Sequence, residues 1–232
     1  MQSFKTQKFI TNTDVTDITV QCTRFIFYTG RVTTDRQSRS SLSRVHLFTY
    51  SSVSVSLDWL FQQSCLTYLC LRGFDLQPLT QCTEVTEPLF PLLQDLTLVP
   101  RVTLSRQTVQ SVCSLLLSPT SLRECNLVLR IEDQCVTLIQ QALARCVSLH
   151  DLDISLELAD ESPCTVGLVC HILPHLSSLQ VLRLDYDDVK DSLPDLIDTL
   201  SAHRAVTCYM WGKSDMSPET QKELQQIGVQ QR

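Results

Sequence analysis

The sequence predicts an α/β fold in which short parallel strands and helices alternate along a repeating, stacked chain. Three observations predict it. A pattern of apolar-x-x-apolar-x-apolar recurs at nearly constant spacing. Apolar residues at helical spacing fill the connections between copies. Leucine supplies 37 of the 232 residues, in a chain that is 43% hydrophobic and 19% charged. That charged fraction is below the roughly 25% of ordinary soluble domains, and the apolar content is enough for one continuous core.

The copies run in order along the chain. The first two are Val15-x-x-Ile18-x-Val20 and Leu42-x-x-Val45-x-Leu47. Five central copies follow: Leu66-x-x-Leu69-x-Leu71, Leu93-x-x-Leu96-x-Leu98, Leu122-x-x-Cys125-x-Leu127, Leu149-x-x-Leu152-x-Ile154 and Leu179-x-x-Leu182-x-Leu184. A weaker copy closes the series at Val206-x-x-Tyr209-x-Trp211. From first position to first position the spacings are 27, 24, 27, 29, 27, 30 and 27 residues. The last residues of each copy alternate as a short strand does, with apolar side chains on one face. Such a strand cannot stand alone and needs a neighbour on each side. About twenty connecting residues suffice for a crossover helix between parallel strands.

The connections carry helical stripes. Val109, Val112, Cys113, Leu116 and Leu117 form the first, and Val136, Ile139, Leu143 and Cys146 the second. Val169, Ile172, Leu173 and Leu176 form the third, which Pro174 ends or bends. Val189, Leu193, Leu196, Ile197 and Leu200 form the fourth, with Pro194 inside it as a local distortion. Helices are wider than strands, so stacking these units curves the sheet and places it on the concave side. At the C-terminus, Ser217-Pro218-Glu219 reads as an N-cap followed by Pro in the first turn. That helix runs to about Gln226, buries Leu224 and Ile227, and stops at Gly228. The polar segment 31–40 reads as a degenerate repeat connector or a mobile loop. The expected organisation is therefore residues 1–59 as divergent N-terminal repeats with a polar connector, 60–211 as the regular solenoid, and 212–232 as a capping helix.

Segments 142–154 and 176–184 resemble leucine-rich repeats, and the period with a helix per unit resembles the ribonuclease-inhibitor subtype. The resemblance covers about residues 60–211 well and 15–59 poorly. It implies a curved solenoid with the parallel sheet on its concave side. That subtype also forms the C-terminal sensing region of NOD-like innate immune receptors, which implies a ligand-sensing or autoinhibitory protein-binding module. The chain departs from the family where Asn or Cys usually follows the second strand leucine by three positions: Phe74, Arg101, Arg130, Glu157 and Asp187 stand there. A second resemblance is to the substrate-recognition repeats of F-box-type ubiquitin ligases, although no F-box-like helical segment precedes residue 15.

Composition and motifs bound the chemistry. A net charge of −6 and scarce Lys and Arg argue against nucleic acid and anionic membranes. The 11 cysteines are an odd number without the spacing of a secreted disulfide framework. With no apolar leader at residues 1–8 and no long apolar run, a reducing cytoplasm is expected. No G-x-x-x-x-G-K-[ST] or G-x-S-x-G is present. Cys164, Cys170, His171 and His175 come nearest to a metal cluster, but Pro174 interrupts the helix that would align them. Asp151 and Asp153 are a carboxylate pair, but on an open strand face that lacks an enclosing pocket. The expectation is a protein without catalytic residues, metal or cofactor.

Function is expected on the outward strand positions. In order they are Tyr68, Cys70 and Arg72; Asp95, Thr97 and Val99; Glu124, Asn126 and Val128; Asp151, Asp153 and Ser155; and Val181, Arg183 and Asp185. Asp95, Glu124, Asp151 and Asp153 make its middle acidic, with Arg183 partly neutralising Asp153 across the strands. Tyr68 offers an aromatic anchor at one edge. The expected partner-binding residues are Tyr68, Arg72, Asp95, Glu124, Asn126, Asp151, Asp153, Arg183 and Asp185, facing a protein or peptide with a basic patch. Cys70 and Cys208 are expected outward and Cys113, Cys125, Cys146 and Cys170 inward.

Overall fold

A computed structural model describes residues 17–22, 43–50, 53–57, 65–79, 90–117, 119, 121–160, 162, 164–212 and 216–231. The sequence-predicted connector at 31–40 lies outside them. The fold is α/β. Among the described residues nine strands form one sheet, and every pair within it is parallel. They are β1 (Asp17–Cys22), β2 (Arg44–Thr49), β4 (Tyr68–Arg72), β6 (Asp95–Val99), β7 (Glu124–Ile131), β8 (Asp151–Leu158), β9 (Val181–Asp185), β10 (Thr207–Trp211) and β11 (Gln230–Gln231). They lie side by side in chain order. Two short strands, β3 (Ser54–Ser56) and β5 (Asp75–Gln77), pair separately and also parallel.

The register follows the apolar pattern. Ile18 is across from Val45, Val45 from Leu69, Leu69 from Leu96, Leu96 from Cys125, Cys125 from Leu152 and Leu152 from Leu182. From Val45 onward these residues are buried, while their neighbours along each strand are mostly half-buried or exposed. A fully buried Leu contributes about 1.5–3 kcal/mol, so slipping one strand by a residue would expose its whole buried row. The lead-in to the strands repeats as well. The carbonyls of Ser43, Thr67, Gln94, Arg123 and His150 each accept two backbone N–H groups from the next strand's lead-in, at 2.8–3.2 Å.

The last strand departs from the predicted frame. Leu182 pairs with Cys208 and Leu184 with Met210, so these two enter the core, and Tyr209 and Trp211 sit half-buried on the other face. The offset from β9 to β10 is one residue shorter than the repeat predicts. Two aromatic rings with polar handles keep partial contact with water in this frame. Cys208, expected to point outward, is therefore 2% exposed.

The helices are α1 (Arg106–Leu117), α2 (Val136–Leu143), α3 (Thr165–Ile172), α4 (Tyr186–Val189), α5 (Leu193–Ala202) and α6 (Pro218–Gln226). Their buried residues join the inward strand residues in one apolar cluster, so among the described residues the helices cover one face of the sheet and leave the other open. Ser105 begins α1, its hydroxyl accepting from Thr108 N at 3.3 Å. The third stripe is α3 plus a 3-10 turn, Leu173–His175, that holds Pro174. The fourth is two helices and not one distorted helix. Asp185 caps α4, a 3-10 turn follows at Lys190–Ser192, and Pro194 then lies in the first turn of α5, where its missing N–H costs nothing. Ser217 caps α6 through Thr220 N at 3.1 Å, and Leu224 is fully buried. Gly228 ends it at φ 85°, and the chain then adds β11 beside β10.

At the positions where the leucine-rich repeat family places Asn, the chain does something else. Strands β7 and β8 run on for eight residues each, burying Leu129, Ile131 and Leu156. Arg130 lies across from Glu157 and donates to its Oε2 through Nη2 at 2.8 Å and Nε at 3.1 Å. Phe74 is fully buried, and Arg101 Nη1 donates to Tyr50 O at 3.2 Å. No described helix is long and apolar enough to cross a membrane.

Candidate functional site on the open sheet face

Strand alternation places the outward residues in rows across the sheet. One row reads Arg44, Tyr68, Asp95, Glu124, Asp151, Val181 and Thr207. The next reads His46, Cys70, Thr97, Asn126, Asp153, Arg183 and Tyr209. Asp95, Glu124, Asn126, Asp151, Asp153 and Arg183 are thereby brought together and line a shallow depression of about 70 Å³. Small-molecule sites need about 300 Å³ or more, so the depression has room for a side chain tip.

Within it, Arg183 lies across from Asp153 but forms its ion pair with Asp151. Asn126 Nδ2 donates to Asp153 Oδ2 at 2.9 Å, and Asn126 Oδ1 is buried without a hydrogen-bond partner among the described residues. Burial pushes the Asp153 carboxyl up to about 6; the Asp151 charge adds to this, and Arg183 and Arg72 oppose it. Burial also raises Asp95, against the pull of Arg44 and Arg123. Glu124 is exposed. The depression therefore gathers four carboxyl groups, Asp95, Glu124, Asp151 and Asp153, around one cation, Arg183.

The remaining predicted positions separate from this group. Tyr68 lies under the Arg44 guanidinium, whose carbon is 4.4 Å from the ring centroid, and its hydroxyl is raised mainly by burial. Asp185 is spent on structure, accepting from Asp187 N at 3.0 Å as the cap of α4. Cys70 occupies an outward register position but is 2% exposed. It follows Tyr68 on β4, and the two groups are close enough to raise the tyrosine hydroxyl. Cys125 and Cys146 are buried and Cys113 and Cys170 half-buried. Burial pushes the Cys113, Cys146 and Cys208 thiols up to about 12, far from the thiolate form that reacts. The rings of His171 and His175 lie 6.0 Å apart.

Sequence reasoning passed over Arg44, His46 and Phe48, which extend the open face onto β2. The signal was the alternation Arg44-Val45-His46-Leu47-Phe48, in a stretch set aside as divergent. It also passed over a cleft of about 230 Å³ between the end of α1 and the turn after α2, lined by Leu116, Leu117, Pro119, Leu122, Arg145 and Val147 among others. No protein-family model matches the chain, and a search of curated proteins found no similar sequence.

Proposed function

We propose that this chain is a leucine-rich repeat solenoid that binds another protein on its concave sheet face and performs no chemistry of its own. Successive parallel strands from β1 to β10, offset by 24–30 residues, with helices packed on one face, support the repeat reading. The observation that carries the binding reading is the row Asp95, Glu124 and Asp151 on adjacent strands, backed by Asp153, on a face that no described helix covers. Like charges set side by side on a sheet cost stability. A basic patch on a partner relieves that cost, and the charge speeds its approach. The small, open depression suits a Lys or Arg side chain and not an enclosed substrate. By its resemblance to the ribonuclease-inhibitor subtype, the chain acts as a ligand-sensing or autoinhibitory module of an innate immune receptor-like protein in the cytoplasm.

The test is affinity capture from cell extract with the native chain and with Asp151→Lys plus Asp153→Lys, followed by measured affinity for each captured protein. The proposal requires at least about tenfold weaker binding by the double variant, since two reversed contacts cost a few kcal/mol. Unchanged affinity rejects the sheet face as the binding surface.

A further inference from the structure

The acidic depression is only one end of a polarised surface. Arg44 and Arg72 are both exposed on β2 and β4, and neither forms an ion pair among the described residues. They stand in an aromatic setting. Arg44 caps the Tyr68 ring at 4.4 Å, and His46 meets the same ring edge-on at 6.3 Å. Phe48 meets Tyr50 edge-on at 4.4 Å, and Tyr50 is 74% exposed. The Tyr50 carbonyl accepts from Arg101, which lies just beyond β6. Immediately beside this end come Asp95 and Glu124, also without ion pairs among the described residues, and then the Asp151–Arg183 pair. Charge across the sheet therefore runs positive and aromatic, then negative, then partly neutralised by Arg183.

We infer that this face selects an extended segment of a partner protein with a charge polarity of its own. An acidic residue beside an aromatic one lies over β2 and β4, and a basic residue lies over β6 and β7. The inference rests on the reading of the open face as a binding surface. Strands are about 4.8 Å apart, so two to three strand spacings separate the poles by about 10–14 Å. An extended chain advances about 3.3 Å per residue, which puts the acidic and basic residues about three to four positions apart. A nucleic acid strand fits poorly, because phosphates following one held at Arg44 would meet Asp95 and Glu124. A purely basic peptide would satisfy one pole and leave Arg44 and Arg72 repelling its continuation.

The experiment uses the full chain and four fluorescent peptides, read by anisotropy at low salt. Two carry Glu-Tyr and Arg-Lys at the stated separation, one in each chain direction. One has the same composition with the charges interleaved, and one is wholly basic. The expected result is about tenfold tighter binding of one direction of the segregated peptide than of the interleaved one. Arg44→Glu with Arg72→Glu removes that advantage without weakening the basic peptide, and the milder Arg44→Gln with Arg72→Gln halves it or more. Asp95→Lys with Glu124→Lys abolishes binding of both. Equal binding of segregated and interleaved peptides overturns the polarity but spares the face, provided the Asp95 and Glu124 reversal still acts. Peptide binding that no variant alters overturns both. Tighter binding of a single-stranded oligonucleotide than of any peptide, lost on reversing Arg44 and Arg72, overturns the assignment of a protein partner.

Discussion

Arg183 faces Asp153 in the strand register, yet its guanidinium pairs with Asp151. Strand register fixes which Cα atoms oppose each other, and a side chain as long as Arg reaches the diagonal neighbour as easily. Asp153 instead takes its hydrogen bond from Asn126 on the strand before it. One cation thus serves two carboxylates, by contact with Asp151 and through space with Asp153.

Arg183→Met separates those two effects. It leaves Asp151 without its counter-charge in a partly buried site, at a cost of about 1 kcal/mol. It also removes a charge that holds Asp153 down, so Asp153 titrates still higher than about 6. Carboxyl carbon NMR titration reads the second effect directly. An Asp153 transition that does not move would contradict the arrangement.

Asp153 makes stability depend on pH in an unusual direction for a carboxylate. Its folded value of about 6 lies above its ordinary 3.8, so the native state holds the extra proton between them. The stability it contributes is full below about 3.8 and is lost as pH rises through about 6. Urea denaturation of Asp153→Asn against the native chain at pH 5 and pH 7 checks this. The variant should gain relative stability at the higher pH, of order 1 kcal/mol because the group is partly solvated.

Gly73 follows β4 at φ 79°, and a Cβ there would overlap the carbonyl oxygen of Thr49. Its N–H also donates to Val99 O at 2.7 Å, joining three strand ends. Gly73→Ala meets backbone, which cannot swing aside, and should destabilise by about 3 kcal/mol or more. A denaturation midpoint within error of the native one would be incompatible with this turn.

Thr165 ties the start of α3 to β8. Its buried hydroxyl accepts from Leu156 N at 2.8 Å and donates to Leu156 O at 3.3 Å. Thr165→Val keeps the shape and orphans a buried N–H, so about 1–3 kcal/mol should be lost. Calorimetric melting reads it, and retained stability would mean another group satisfies Leu156.

The strands were legible because each needs only a run of alternating residues, and alternation survives loss of any one leucine: Cys125 sits where Leu96 and Leu152 sit. The same local logic misread β10. Val206, Tyr209 and Trp211 match the pattern as well as Cys208 and Met210 do, and only packing against Leu182 and Leu184 selects the frame. Pro194 was ambiguous for a related reason, since a proline marks either a break or a beginning. The acidic depression was readable from outward positions, as was the neighbourhood of Arg183. Which carboxylate takes the ion pair, the capping duty of Asp185 and the burial of Cys70 depend on side-chain reach and on neighbours distant in sequence.

The central claim is that a partner protein sits on the open sheet face. Photo-crosslinking tests it most directly, with the reactive side chain placed at Val128 on the open face of β7 or at Gln141 on the outer side of α2, both exposed. A partner captured by the native chain should crosslink from position 128 and not from 141, and Asp151→Lys with Asp153→Lys should suppress the product. Crosslinking from 141 alone, indifferent to those charges, would contradict it.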